Sequence, residues 1–143
     1  MTKRALIIDD DSANQSLWRS FLIEHGYDVV IAPDLETAHQ YVNEEINVFL
    51  VDYYLPDGYG TAMVAAARQE HPSAVVIMVS MVDDAVIIRE SMQAGGNLYV
   101  VKPSTPTLMT QILSEIESGM LHSGTHQLIN RHGRRTYNST NTL

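Results

Sequence analysis

Cysteine is absent from this 143-residue sequence. That excludes a disulfide framework and suits a reducing compartment. No apolar run approaches the roughly 18 residues of a membrane span, so no membrane segment is expected. The opening MTKRALIIDD has two basic residues but only four apolar ones before a row of aspartates, too short a core for a secretory signal. The cytoplasm is the expected compartment. Basic charge is scarce as well: 9 Lys and Arg against 17 Asp and Glu leave a net charge of -8, which argues against direct nucleic-acid binding. The scarcity is uneven. Residues 122–143 hold Arg131, Arg134 and Arg135 and no acid, so the first 121 residues carry -11, the overall -8 less the tail's +3. This shift predicts one domain over 1–121 and a basic polar tail, or the start of a linker, over 122–143.

What the sequence does have is a series of short apolar runs, each stopping on a polar residue. The clearest is VFLVDYYLPDG at 48–58, where four apolar residues run into Asp52. A carboxylate beside apolar surroundings is costly unless it is paired, hydrogen-bonded or bound to a metal. Something should therefore face Asp52.

The spacing predicts five strand–helix units. Strands are expected at 5–8, 27–32, 48–52, 74–80 and 97–102. The first helix is expected over 12–26, with Leu17, Phe21 and Leu22 on its apolar side, Trp18 partly buried and Gly26 as its stop. Asp34 caps a second helix to about Asn43, with Ala38, Tyr41 and Val42 inward. A third runs from Gly58 to about Glu70 and is ended by His71-Pro72. A fourth opens at Asp83 or Asp84 and stops at Gly95-Gly96; a fifth covers 105–118. Alternating strands and helices imply parallel pairing with helices on both faces. Apolar strands fit burial on both sides. The expected fold is a doubly wound α/β domain, whose ligands sit at the carboxyl ends of the strands.

Those ends carry chemistry. The first strand stops at Asp9, Asp10 and Asp11, the third at Asp52, the fourth at Ser80 and the fifth at Lys102. On one parallel sheet they share an edge. Carboxylates so gathered need a cation, and oxygen ligands of this kind suit Mg²⁺. A carboxylate beside Mg²⁺ and a lysine can act as a nucleophile toward phosphorus.

With IIDDD, LVDYYLPDGYG, IMVS and AGGNLYVVKPS in this order, the chain resembles the response regulator receiver domains of two-component signalling over about residues 3–119. The resemblance implies a flavodoxin-like fold with a five-stranded parallel sheet in the order 2-1-3-4-5. It implies Asp52 as phosphoacceptor and Asp9, Asp10, Asp52 and the backbone carbonyl of Tyr54 as Mg²⁺ ligands. It implies Ser80 and Tyr99 as a switch pair, with the hydroxyl turning toward the phosphoryl group and the ring turning inward. Lys102 resembles the family's lysine, before a proline bond that is often cis. The donor would be a histidine kinase or histidine phosphotransfer protein. The output would be a changed face of helix four, strand five and helix five, read by a downstream protein or a lost C-terminal output domain. A homodimer through that face stays open. The chain would be no enzyme beyond its own phosphorylation and dephosphorylation.

Two other readings compete. One is a phosphorylation-independent adaptor that kept the fold. The other is a haloacid dehalogenase-like aspartyl-phosphate phosphatase, to which Asp9-Asp10-Asp11 is similar; that pattern wants Thr or Val where Ala13 stands. Met81 and Tyr54 are bulky neighbours expected to narrow access to Asp52 or tune the lifetime of the phosphoryl group. Gly95-Gly96-Asn97 stands where the family has a Gly-Ala-Asp type of turn. His122, His126 and His132, and the stretch RHGRR at 131–135, are expected to be solvated.

Overall fold

The computed structural model describes residues 2–137. The elements run β1 (Lys3–Ile8), α1 (Ser12–Glu24), β2 (Tyr27–Ala32), α2 (Leu35–Tyr41), β3 (Val48–Val51), β4 (Tyr54–Leu55), β5 (Gly58–Tyr59), α3 (Thr61–Glu70), β6 (Val75–Ser80), α4 (Ala85–Gln93), β7 (Leu98–Val101), α5 (Pro106–Ser118), β8 (Gln127–Ile129) and β9 (Arg135–Tyr137). The main sheet has the order β2-β1-β3-β6-β7-β8-β9. Its first five strands are parallel and reproduce the expected order. Among the described residues no helix is long and apolar enough to cross a membrane.

Alternate strand residues feed two cores, one on each side of the sheet. Leu6, Ile8, Phe49, Val51, Val76 and Met78 pack with Ala38, Met63, Val64 and Met92 from α2, α3 and α4. Ala5, Ile7, Leu50, Ile77 and Val79 pack with Trp18, Leu22, Met109, Ile112 and Leu113 from α1 and α5. Both-face burial is why these strands read as unbroken apolar runs.

Side-chain caps begin the helices. Asp11, Asp34, Asp84 and Thr105 accept first-turn amides of α1, α2, α4 and α5, supplying partners for donors that a helix start leaves unpaired. In α1 the cap is Asp11, and the residues facing inward are Trp18 and Leu22. Trp18 is fully buried, whereas Leu17 is 38% exposed; the expectation of a core Leu17 and a half-buried Trp18 is one position out.

Two differences from the sequence expectation lie outside the five units. A small antiparallel ribbon pairs β4 with β5, and β5 occupies the start of the segment expected to be helix, which begins only at Thr61. The second is larger. The sheet has seven strands, because residues expected to form a polar tail add β8 and β9. β8 lies parallel to β7, and β9 folds back antiparallel on β8. Asn130 and Gly133 make the turn: Asn130 Oδ1 accepts from the amides of His132 (2.9 Å) and Arg134 (3.0 Å), and Gly133 takes φ 74°, where L side chains are disfavoured. Ile129 and Leu121 are buried in the α1/α5 core. His126 is not solvated either; its Nδ1 bonds the Gly96 carbonyl at 2.8 Å.

Candidate functional site

One further ladder bond past each strand fixes the backbone of the residue that follows it. Asp9 N donates to Ala32 O (3.1 Å), Asp52 N to Ile8 O (2.9 Å) and Lys102 N to Ser80 O (2.8 Å). The carboxyl ends of β1, β3, β6 and β7 thus meet at one sheet edge. Asp9, Asp10 and Asp52 each bring a carboxylate oxygen within 4.8 Å of the others. Lys102 reaches into this group, with Nζ 3.5 Å from Asp52 Oδ2 and 3.6 Å from Asp9 Oδ2. The Lys102–Pro103 bond is cis.

The three carboxylates differ in surroundings. Asp9 is buried and well held: Oδ1 accepts the Asp11 amide at 2.9 Å, and Oδ2 the Asn14 side chain at 2.5 Å. Gln15 Nε2 donates to the Asp9 carbonyl at 2.5 Å. Asp10 is exposed. Asp52 is half-buried, and its Oδ1 accepts the Tyr53 amide at 2.7 Å. Burial pushes its pKa above the ordinary carboxylate value; Lys102 pulls it back and the Asp9 charge pushes it up again, while the Tyr53 amide and Ser80 hydroxyl favour the ionised form.

Asn14 and Gln15 are polar contacts of the site that sequence reasoning missed. The signal was available: they lie in the first turn of α1, which starts immediately beside Asp9. Gly60 was also missed. A Cβ there would stand 2.0 Å from the Asp52 carbonyl and 2.8 Å from Val51 Cγ1, so only glycine lets α3 start this close to β3.

Ser80 and Tyr99 sit behind Asp52 on neighbouring strands. Ser80 is buried, and its Oγ accepts the Val82 amide at 3.2 Å. The Tyr99 ring is fully buried and its hydroxyl donates to the Val82 carbonyl at 2.8 Å. Burial pushes the Tyr99 phenol up to about 12, partly offset by Ser80. Loop residue Val82 is therefore gripped by both. Met81 stands at the rim, 80% exposed, and lines a cavity of about 370 Å³ with Asn14, Leu17, Lys102 and Ser104. Tyr54, two residues past Asp52, is 59% exposed on β4. Its ring lies 4.9 Å from that of Tyr53 and 5.9 Å from that of Tyr59.

The loop after Asp52 is tied down at its far end. Asp57 accepts the amides of Leu35 (2.8 Å) and Glu36 (2.9 Å) at the start of α2, and these bonds hold its pKa below the ordinary carboxylate value.

Asn97, in the turn before β7, is fully buried and uses every polar atom. Oδ1 accepts from Val76 N (2.9 Å) and Arg68 Nη2 (2.6 Å); Nδ2 donates to the carbonyls of Ser123 and Thr125, both at 2.9 Å. An aspartate could make the first two contacts but not the last two. The change from the expected Gly-Ala-Asp type of turn therefore accompanies the added strands, and does not loosen the loop.

Comparison with known proteins gives the family and the fold. The sequence model of the response regulator receiver domain matches residues 5–114. A chemotaxis protein CheY homolog of Campylobacter jejuni is 28% identical over 122 residues, covering 79% of this chain and 91% of that protein. A cyclic di-GMP phosphodiesterase of Thermotoga maritima is 32% identical over 98 residues, but those span 68% of this chain and 26% of that protein. Among solved structures, a CheY-like receiver domain protein of Methanospirillum hungatei superposes with a TM-score of 0.75 at 30% identity, covering 84% of this chain and 94% of the other. A Burkholderia pseudomallei response regulator with a phosphorylated aspartic acid and a calcium ion shares the fold, with a TM-score of 0.69 at 20% identity, covering 82% of this chain and 72% of the other.

Proposed function

Because the chain belongs to the response regulator receiver family, we propose that it takes a phosphoryl group onto Asp52 from a phosphohistidine donor and passes the change to a protein partner. The observation that carries this reading is the meeting of Asp9, Asp10, Asp52 and Lys102 at one sheet edge.

In the transfer, an Asp52 carboxylate oxygen forms a bond to phosphorus as the donor's nitrogen–phosphorus bond breaks. The product is an acyl phosphate, and the imidazole leaves with its electron pair. Lys102, already within 4 Å of Asp52, meets the charge on the phosphoryl oxygens. Asn14 and the Asp11 amide hold Asp9 in place.

The donor set fits a hard divalent cation: three carboxylates with oxygens within 4.8 Å of one another, against one lysine. Asp9, Asp10 and Asp52 would hold Mg²⁺, with the Tyr54 carbonyl as a further ligand, and the ion would draw charge from the transferring phosphoryl oxygens. A protein of the same fold that carries both a phosphorylated aspartic acid and a calcium ion is in keeping with this reading.

Ser80 would turn its hydroxyl to the phosphoryl group, and Tyr99 would lock the ring position behind it. The ring of Tyr99 is already inward, so the larger change falls on Ser80 and its bond to Val82. The family match also weighs against a dehalogenase-like phosphatase, in which Asp9 would be the nucleophile.

The test is intact mass after incubation with acetyl phosphate and Mg²⁺. Wild type should gain one phosphoryl group and Asp52→Asn none. Addition to both proteins would move the nucleophile elsewhere, and no addition to wild type would favour the adaptor reading.

A further inference from the structure

In a five-stranded version of this fold, β7 would be an open edge between α4 and α5. An open, apolar edge strand invites pairing with another chain. Here the chain covers that edge itself. β8 pairs Gln127 with Leu98, Leu128 with Tyr99 and Ile129 with Val100. Successive side chains then enter opposite cores: Leu128 packs with the group containing Ile88 and Tyr99, and Ile129 with the group containing Val100 and Leu113.

Polar ties fasten the strap to each surrounding element. At the start of β7, Asn97 donates to the Ser123 and Thr125 carbonyls. In the loop before α4, Asp83 accepts from Arg131 Nη2 at 2.8 Å and Nε at 3.2 Å. On α5, Glu115 pairs with Arg135. The three basic residues that made the segment look like a solvated tail thus include two that fasten it.

The strap also touches the site's own machinery. Ser80 Oγ holds the Val82 amide, and Tyr99 holds the Val82 carbonyl. Asp83, the anchor of Arg131, is the next residue. A Ser80 hydroxyl redirected toward Asp52 gives up the Val82 amide and frees the loop at 81–84 that carries this anchor.

We propose that residues 121–137 are the resident occupant of the α4–β7–α5 face, and that loading of Asp52 loosens them through the loop at 81–84. The loosening rests on the phosphoacceptor reading above; the occupancy does not. A partner that uses this face must displace the strap. The chemistry left open is a free β7 edge flanked by Asp83 and Glu115, which fits an extended segment with basic side chains.

Hydrogen exchange on the full chain tests both halves. Wild type and Arg131→Glu/Arg135→Glu are compared, each with and without beryllofluoride and Mg²⁺, with loading followed separately by fluorine NMR. In wild type the amides of 127–129 should exchange at least ten-fold more slowly than in a free peptide of residues 121–137. The double variant should lose most of that protection while β1 and β3 keep theirs. Loading should speed exchange at 127–129 in wild type at least three-fold. Free-peptide rates in unloaded wild type would overturn the occupancy. Unchanged protection in a loaded wild type would overturn the coupling. A missing bound-fluoride signal would count against the phosphoacceptor reading instead, with the occupancy still decided by the unloaded comparison. If the double variant also loses protection in β1 and β3, Asn97→Asp replaces it, since that change turns the donations to Ser123 and Thr125 into acceptor–acceptor contacts while keeping the acceptor for Val76 and Arg68.

Discussion

The carbonyl oxygen of Asp52 occupies the space that a side chain on Gly60 would need, 2.0 Å from an ideal Cβ. The clash is with backbone at the end of a central strand, so no rotamer change relieves it. Gly60→Ala should destabilise the fold by about 3 kcal/mol or more. It should also slow phosphorylation of whatever protein stays folded, because α3 and the end of β3 must move apart. Urea unfolding and acetyl phosphate kinetics on the same preparation check both.

The raised pKa of Asp52 makes a signed prediction. Its folded pKa lies above the unfolded one, so folding favours the protonated form. The stability this group contributes is full below the ordinary carboxylate value and is lost as pH rises through the raised folded value. At neutral pH the charge is a net cost. Asp52→Asn should therefore raise Tm at pH 7. The advantage should shrink as pH falls toward the ordinary carboxylate range. Thermal melts of both proteins across pH 4 to 7.5 give the difference curve; an advantage that grows on acidification would reverse the sign.

Mg²⁺ should depend on Asp10 more than its exposure suggests. Asp10 is exposed and brings a carboxylate oxygen to the cluster. Asp10→Asn should weaken Mg²⁺ binding by about ten-fold or more, while easing repulsion in metal-free protein. Calorimetric titration reads the first effect, and melts in EDTA read the second. Equal affinities would remove Asp10 from the ligand set.

Arg68 is a structural hub that ties the end of α3 to the start of β6 and to the turn before β7. Its guanidinium donates to the Gly95 carbonyl (3.1 and 2.9 Å), the Ala74 carbonyl (2.8 Å) and Asn97 Oδ1 (2.6 Å). Arg68→Met keeps the stem, removes these donors from the Gly95 and Ala74 carbonyls, and leaves Asn97 Oδ1 with the Val76 amide alone. A loss of about 2–4 kcal/mol follows, seen as a lower urea midpoint at unchanged m-value.

On the proposed phosphoacceptor reading, Met81 should lengthen the lifetime of the phosphoryl group. It is 80% exposed at the mouth of the site, free of core packing, and so positioned to screen incoming water. Met81→Ala should speed autodephosphorylation about two-fold or more without changing Tm. Radiolabel loss measured over time decides it, and equal rates would mean that the side chain screens nothing.

Much of the site could be read from sequence because each of its groups ends an apolar run. Asp9, Asp52, Ser80 and Lys102 are marked by period and position together, and a parallel sheet must bring them to one edge. What could not be read depended on contacts without a period. Trp18 and Leu17 exchanged places because adjacent helical residues lie about 100° apart, and Leu22, one turn beyond Trp18, is compatible with either as its inward neighbour. β4 and β5 have two residues each, too short for any alternation to register. β8 and β9 have three each, and net charge masked them: arginines that neutralise Asp83 and Glu115 look from sequence like solvated ones. The turn signal was present in Asn130 and Gly133, between Leu128-Ile129 and Thr136-Tyr137.

Asp57 gives the site a direction. By holding two amides of α2, it pins the far end of the loop that carries Asp52, whose near end is wedged by Gly60. That wall is stiff. The opposite wall, residues 81–84, is held from the site's side by one serine hydroxyl and one tyrosine hydroxyl, and from the strap by Arg131. If Asp52 is loaded as proposed, the resulting strain would fall on the less firmly held wall and travel toward α4 and β7, away from α2.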